Sequence, residues 1–364
     1  MPRLLKKYGD VSFGEKVQIW LVFLKLPFAL AWKLLTSKFY AHSRYKTWRH
    51  NIGEAAFRAI GLSIPQMQYV MGGKTTLVCY KDWSSKRKLS VTVEEIQGEE
   101  ARLLWIGGKR TDRVIYYLHG GGYALPLQEY ALSFWRHVQE ELERKGLDVG
   151  VVVLNYALIP DAPFPTVLRQ ATKGLQLLLD DGVKPENLQL SGDSAGGNLV
   201  LQVLSHLLNP VPNVPSVTCG VINGAYLMSP WVSFKDEDGT HAARAATDVI
   251  TTSGILEFGE YVLRDVPNEQ QPYIELNIAP ETWWNGLDKV VKRVFMSVGR
   301  DECFLDDIVK LDNRMKTYHS DVKMVVQEYG VHCDPYIDFM IPGEKRFVEL
   351  TGEVVDWVAD GFSV

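Results

Sequence analysis

Cysteine is scarce: four residues in 364, at positions 79, 219, 303 and 333, with no C-x-x-C pair among them. That density and spacing exclude a disulfide scaffold and favour a reducing compartment. There is no N-x-S/T sequon, which agrees with a protein that is not secreted. Basic runs are also missing, and 39 Lys plus Arg are outnumbered by 44 Asp plus Glu to give a net charge of -5. A general nucleic-acid-binding surface is therefore excluded. Internal repeats and low-complexity tracts are absent, and 46% of the residues are hydrophobic, so an ordinary globular chain remains.

One long apolar run is present, KVQIWLVFLKLPFALAWKLL at 16–35. Lys25 and Pro27 at its centre argue against a membrane span, and no small-residue cleavage site marks a secretory signal. The segment is expected to form a helix over the protein's own active site. Contact with a membrane surface is the second reading, from its Trp, Phe and Lys content. The expected location is intracellular, either cytoplasmic or peripheral on the endoplasmic reticulum membrane.

From residue 91 the pattern changes. VTVEEI and ARLLWI read as paired strands, and VIYYL (114–118), VGVVVLNY (149–156), LQLSG (188–192), VINGAYLM (221–228), VFMSVG (294–299) and VKMVVQEY (322–329) follow as short β-branched or aromatic runs. Helical patterns fill 128–145, 163–181, 195–209 and 305–319, and 343–360 reads as a closing helix. Apolar strands alternating with helical crossovers predict an α/β fold, a mostly parallel central sheet flanked by helices. The interval 235–290 is too long for a crossover and has its own helical pattern at 253–264, so it reads as an insertion.

Two glycine motifs carry chemistry. GDSAG at 192–196 is a G-x-S-x-G placed between the strand LQLSG and a helical run. A serine on such a turn exposes its hydroxyl, and the flanking small residues let strand and helix approach closely. HGGG at 119–122 follows VIYYL, and a turn of glycines can direct backbone N–H groups at the oxyanion formed when an ester carbonyl is attacked. The amide of Ala195, just after the serine, would be a further donor. Serine needs a base, and the base needs an acid that fixes its tautomer. Of the histidines after Ser194, His332 follows the last predicted strand in a Gly-x-His loop, whereas His206 and His319 fall in helices and His241 in the insertion. The acid belongs on the loop VGRDECFLDD, where Asp301 and Glu302 both qualify, because Asp306 and Asp307 read as the start of a helix.

HGGGY at 119–123, GDSAGGN at 192–198 and the late Gly-x-His together resemble the hormone-sensitive-lipase-like branch of the α/β-hydrolase superfamily. NYALIPDAPFPTVL at 155–168 and LMSPWVSF at 227–234 are similar to its framework segments, and NIAPETWWNGL at 277–287 resembles fungal members. The resemblance, which covers roughly residues 91 to 360, implies an α/β-hydrolase fold. It further implies Ser194 as nucleophile, His332 as base, and Gly121, Gly122 and Ala195 as oxyanion donors. In that family the acid opens an acid-x-Leu-x-Asp-Asp frame, which Glu302-Cys-Phe-Leu-Asp306-Asp307 occupies without a gap. Glu302 is thus the implied acid, with Asp301 as the alternative because the family's acid is more often Asp.

The resemblance also implies a cap made by residues 1–90 and 235–290 over a core of 91–234 and 291–364. Tyr123 and Trp231 are candidate substrate contacts, whereas Trp283 and Trp284 are expected to pack cap against core. No metal or cofactor is implied. The expected activity is a serine esterase acting through an acyl-enzyme on a hydrophobic ester or lactone, with its small-molecule substrate as the expected partner. An acyltransferase or lactone-forming cyclase using the same acyl-enzyme is the first alternative. A triad-independent small-molecule receptor is the second.

Overall fold

The computed structural model describes residues 7–235 and 239–363; the remaining residues, including Arg3 and Lys6 in the basic flank of the apolar run, lie outside the description. The chain opens with five helices, α1 (Phe13–Thr36), α2 (Ala41–Arg44), α3 (Trp48–Ala59), α4 (Ile64–Val70) and α5 (Thr76–Lys86). Strands β1 (Val91–Glu95), β2 (Arg102–Ile106) and β3 (Val114–Leu118) follow, then α6 (Glu129–Arg144), β4 (Gly150–Asn155), α7 (Thr166–Asp180), β5 (Leu188–Asp193), α8 (Ala195–Leu208) and β6 (Gly224–Met228). The insertion carries α9 (Thr240–Arg244) and α10 (Thr252–Leu263) together with several 3-10 turns. The core resumes with β7 (Val294–Gly299), α11 (Leu305–Lys316), β8 (Val322–Gln327), α12 (Asp334–Ile337) and α13 (Glu349–Phe362).

The eight strands form one sheet in the order β1-β2-β4-β3-β5-β6-β7-β8. Only the pairings made by β2 are antiparallel; β4 to β8 and β3 otherwise pair in parallel. Strand alternation divides the core into two layers. Val114, Tyr116 and Leu118 face a cluster shared with α7, α8 and α11, whereas Ile115 and Tyr117 face a second cluster shared with α5, α6 and α13. The predicted strands and crossover helices are all present. The run at 221–228 pairs in the sheet only from Gly224, because the Asn223 amide is drawn away to the carbonyls of Pro185 and Leu188 and Ile222 makes only an isolated bridge to Val291.

Strand order reverses around β3, which has β4 on one side and β5 on the other. A crevice opens at the carboxyl ends of parallel strands at such a switch point. The turns after β3 and β5 meet there, with Leu118 in register with Gly192. The loops after β7 and β8 emerge at the same edge.

A capping box starts α1, in which Ser12 and Glu15 bond each other's backbone. The helix packs on α3 and α4, but only Ile19 is buried within it. Phe13, Trp20, Leu24, Phe28, Trp32 and Leu35 are exposed. The expectation of a helix packed over the active site is thus corrected: α1 lies on helices that reach the site while presenting most of its apolar surface outward. Among the described residues, this is the one helix long and apolar enough to cross a membrane.

Candidate active site

Ser194 stands between β5 and α8 with φ 50° and ψ -121°, a left-handed backbone that only a tightly built turn sustains. Such a build requires small neighbours. A Cβ on Gly196 would fall 2.0 Å from the carbonyl oxygen of Leu118, so only glycine lets α8 reach the end of β3. The helix therefore starts directly after the serine, and its positive end faces the same crevice.

Asp193 is buried and accepts three hydrogen bonds: from the Tyr117 hydroxyl at 2.5 Å, the Gly120 amide at 3.0 Å and the Tyr336 hydroxyl at 3.3 Å. Burial raises its carboxyl above the usual range, against these bonds. Its bond to Gly120 occupies the first amide after His119 and turns the next two glycines, at φ 107° and 61°, along the crevice. Among the described residues, no acceptor takes the amides of Gly121, Gly122 or Ala195. Those three donors are free to meet an oxyanion. His119 is stacked on Tyr156, and burial lowers it to about 4, so it is a neutral strut of the loop.

His332 follows β8, with Nδ1 2.8 Å from Oε1 of Glu302. Glu302 is fully buried, and its other oxygen accepts the Ser229 hydroxyl at 2.8 Å and the Gly299 amide at 2.9 Å. Burial alone would lower the His332 pKa, but its charged neighbourhood, with Cys333 and Glu302 in contact, outweighs burial and holds it well above its ordinary value. Burial pushes the Cys333 thiol itself up to about 12, so we assign the effect to the Glu302 carboxylate. Asp301 does not reach the imidazole. It is partly exposed and lies in the field of Lys46 and His42.

Ser194, His332, Gly121 and Gly122 line one cavity of about 430 Å³. Its other walls come from the N-terminal helices, through Phe57, Ile60 and Met67, and from the insertion, through Ile255 and Phe258. A larger groove of about 740 Å³ runs beside α5 and α6, but none of these four residues borders it. Trp231 lines the cavity, packed against Phe234 and Phe304. Tyr123 does not. Its hydroxyl donates to Oδ1 of Asn198 at 2.7 Å and accepts from Gln202 at 2.9 Å, because a positive φ turns the side chain under α8. Trp284 is buried away from the cavity, and Trp283 donates to the Ser205 hydroxyl at 3.0 Å.

The remaining late histidines hold backbone or side-chain partners elsewhere, His206 on Pro215, His319 on Val291 and His241 on Asp307. Among the described residues, no cluster of three His, Cys, Asp or Glu side chains could hold a metal ion. Sequence reasoning did not single out Asp193, Ser229 or Asp248. The Asp within GDSAG was the one available signal, since a carboxylate fixed between glycines on a core strand needs buried partners.

Residues 115–334 match the family described as having the α/β hydrolase fold. An acetyl-hydrolase of Streptomyces hygroscopicus is 31% identical over 250 residues, covering 68% of this chain and 77% of that protein. Esterase LipU of Mycobacterium tuberculosis is 39% identical over 248 residues, covering 67% and 78%. Among solved structures, an esterase from the bacterial hormone-sensitive lipase family superposes with a TM-score of 0.64 at 21% identity, covering 87% of this chain and 99% of that one. With a sheet that reverses at β3, a serine turn after β5 and relatives of this kind, the chain belongs to the α/β-hydrolase fold family, in its hormone-sensitive-lipase-like branch of serine ester hydrolases.

Proposed function

We propose that the protein hydrolyses a hydrophobic carboxylic ester through a covalent acyl-enzyme on Ser194. The observation that carries this reading is the 2.8 Å bond between His332 Nδ1 and buried Glu302, in a cavity that Ser194 also lines. Nε2 of His332 takes the proton of the Ser194 hydroxyl as its oxygen attacks the ester carbonyl carbon. The charge that develops on the carbonyl oxygen is met by the amides of Gly121, Gly122 and Ala195. Collapse breaks the bond to the alcohol, which leaves with the proton held on His332. Water, deprotonated by the same imidazole, then releases the acid and regenerates the serine. Glu302 fixes the imidazole tautomer through Nδ1 and stabilises the imidazolium.

Phe57, Ile60, Met67 and Phe258 give the site an apolar wall, which favours an apolar substrate over a charged one. The acetyl-hydrolase relative and the crowding of Trp231 and Phe304 near His332 support a short acyl group carried on a bulkier apolar alcohol. The test is a p-nitrophenyl ester series from acetate to palmitate. We expect the rate to be highest at two to four carbons and to fall by orders of magnitude in Ser194→Ala and His332→Ala. Phosphonate labelling of Ser194 without hydrolysis would overturn the reading and assign the acyl group to another acceptor.

We further propose that α1 rests on a lipid surface. Its exposed Trp, Phe and Leu side chains belong to a helix packed on α3 and α4, which themselves wall the cavity. Apolar aromatic faces with lysines suit the interface of a bilayer. Flotation with liposomes tests it: full-length protein should float and a chain lacking residues 1–38 should not, and equal partitioning would sink the idea.

A further inference from the structure

Asp248 lies in the insertion, between α9 and α10, and is almost completely buried. Its carboxylate faces backbone amides on three sides. Oδ1 accepts the amide of His332 at 2.9 Å and that of Val249 at 2.7 Å, and Oδ2 accepts the amide of Cys303 at 2.9 Å. One of these amides belongs to the base itself and another to the residue directly after Glu302. The preceding residue repeats the connection, with the Thr247 hydroxyl donating to the carbonyl of Asp301 at 3.1 Å. Beyond Asp248 the chain turns at once into the cavity, where Val249, Ile250 and Thr251 form part of the wall.

We propose that Asp248 is a positioning residue, a carboxylate carried by the cap that fixes the loop bearing Glu302 against the loop bearing His332. The proposal rests on the esterase reading above. A buried carboxylate is expensive to hold, and here desolvation and the charge of Glu302, only partly offset by His332, raise it to about 6. Three amide hydrogen bonds offset that cost only in the geometry that brings the two loops together. The loops after β7 and β8 pair with each other through their strands, and just past Gly299 the amides of Arg300 and Asp301 still donate to the carbonyls of Gln327 and Gly330. From Glu302 and His332 onward the two loops are joined, besides their own 2.8 Å bond, by Asp248 and by the Ser229 hydroxyl, which bonds both Glu302 and the Cys333 amide. Because 249–251 touch whatever occupies the cavity, a seated substrate presses on the same segment that aligns the triad.

Asp248→Asn tests this, since the amide keeps the shape but must turn an NH2 group toward one of the two loops. We expect kcat on p-nitrophenyl acetate to fall by about 10- to 100-fold, the scale on which small displacements of reacting groups act, with KM within about threefold. The low-field proton resonance of the His332–Glu302 hydrogen bond should shift or vanish. Thr247→Ala, which removes the hydroxyl's bonds to the carbonyls of Asp301 and Arg244 but leaves Asp248 in place, should change kcat less than threefold. An Asp248→Asn enzyme with unchanged kcat, or with reduced kcat but an unchanged low-field resonance, would overturn the proposal. If that variant does not fold, hydrogen exchange of the wild type decides: the amides of Val249, Cys303 and His332 should open together, and independent opening refutes a common clamp. The resonance does not depend on turnover, so a wild type that fails to hydrolyse esters would defeat the functional reading while leaving this test intact.

Discussion

The ring of Phe258, on the cap, occupies the space in which a Cβ on Gly122 would have to stand, with its Cδ1 2.1 Å from that position. Gly122 also has a φ of 61°, so both the backbone and the cap demand glycine. Gly122→Ala should therefore displace the cap and misdirect one proposed oxyanion donor, lowering kcat by about 10²-fold. Phe258→Ala in the same chain should restore part of the rate by removing the clash. Steady-state kinetics of the two single variants and the double variant measure the coupling, and simple additivity would show that the contact is idle.

The acid assignment predicts a pair of unequal substitutions. Glu302→Gln removes the charge that holds the His332 tautomer and should cost about 10³-fold or more in kcat. Asp301→Asn, which leaves His332 untouched, should stay within a few fold. Equal losses would mean that the acid loop rearranges in solution.

The pH profile follows from the same pair. Glu302 raises the imidazole pKa, and His332 acts as base only when neutral, so kcat/KM should fall on acidification with a midpoint above the ordinary value of about 6.5. In Glu302→Gln, burial is opposed less, and the residual activity should keep its plateau to lower pH. A midpoint that does not move between the two enzymes would remove Glu302 as the cause.

Behind the loop that carries His332, a buried charge cluster predicts how stability depends on pH. His50 lies between Asp338 at 2.7 Å and Asp334 at 3.3 Å, and Asp334 also contacts Lys46 at 3.2 Å. Burial opposes the charge on His50, yet the two carboxylates raise it to about 9. A raised histidine contributes stability that is fully present below its unfolded pKa of about 6.5 and is lost as pH rises through about 9. Asp334 is lowered despite its burial, by Lys46 and His50, so its contribution is present above about 4 and lost as pH falls below that value. Tm should thus decline on both sides of a plateau at weakly acidic pH. His50→Ala should lower stability by about 3 kcal/mol and flatten the alkaline decline, as calorimetry would record.

What the sequence made legible has a physical pattern. Strand runs such as VFMSVG and the turns HGGG and GDSAG are local, since period, glycine and strain are written in adjacent residues, and those elements stand where they were expected. The proposed triad of Ser194, His332 and Glu302 could be named because each residue is anchored to the end of a strand. Asp193, Asp248 and His50 escaped notice because their partners are distant in the chain: Asp248 meets His332 across 84 positions and His50 meets Asp338 across 288. Tyr123 was misplaced for another reason. Its neighbours along the chain face the cavity, but a left-handed backbone sends its ring the other way.

The joint between cap and core has a consequence for engineering substrate range. The ion pair of Arg244 with Asp306, the contact of His241 with Asp307 and the Asp248 bonds make the first part of the insertion belong mechanically to the catalytic loops. Grafting a relative's whole insertion would import a foreign set of struts along with a new pocket. The exchangeable unit begins after position 248 and ends before Ile274, where Asn198, Asp307 and Arg314 tie the insertion to the core again, and chimeras cut at both points should trade specificity while keeping their turnover.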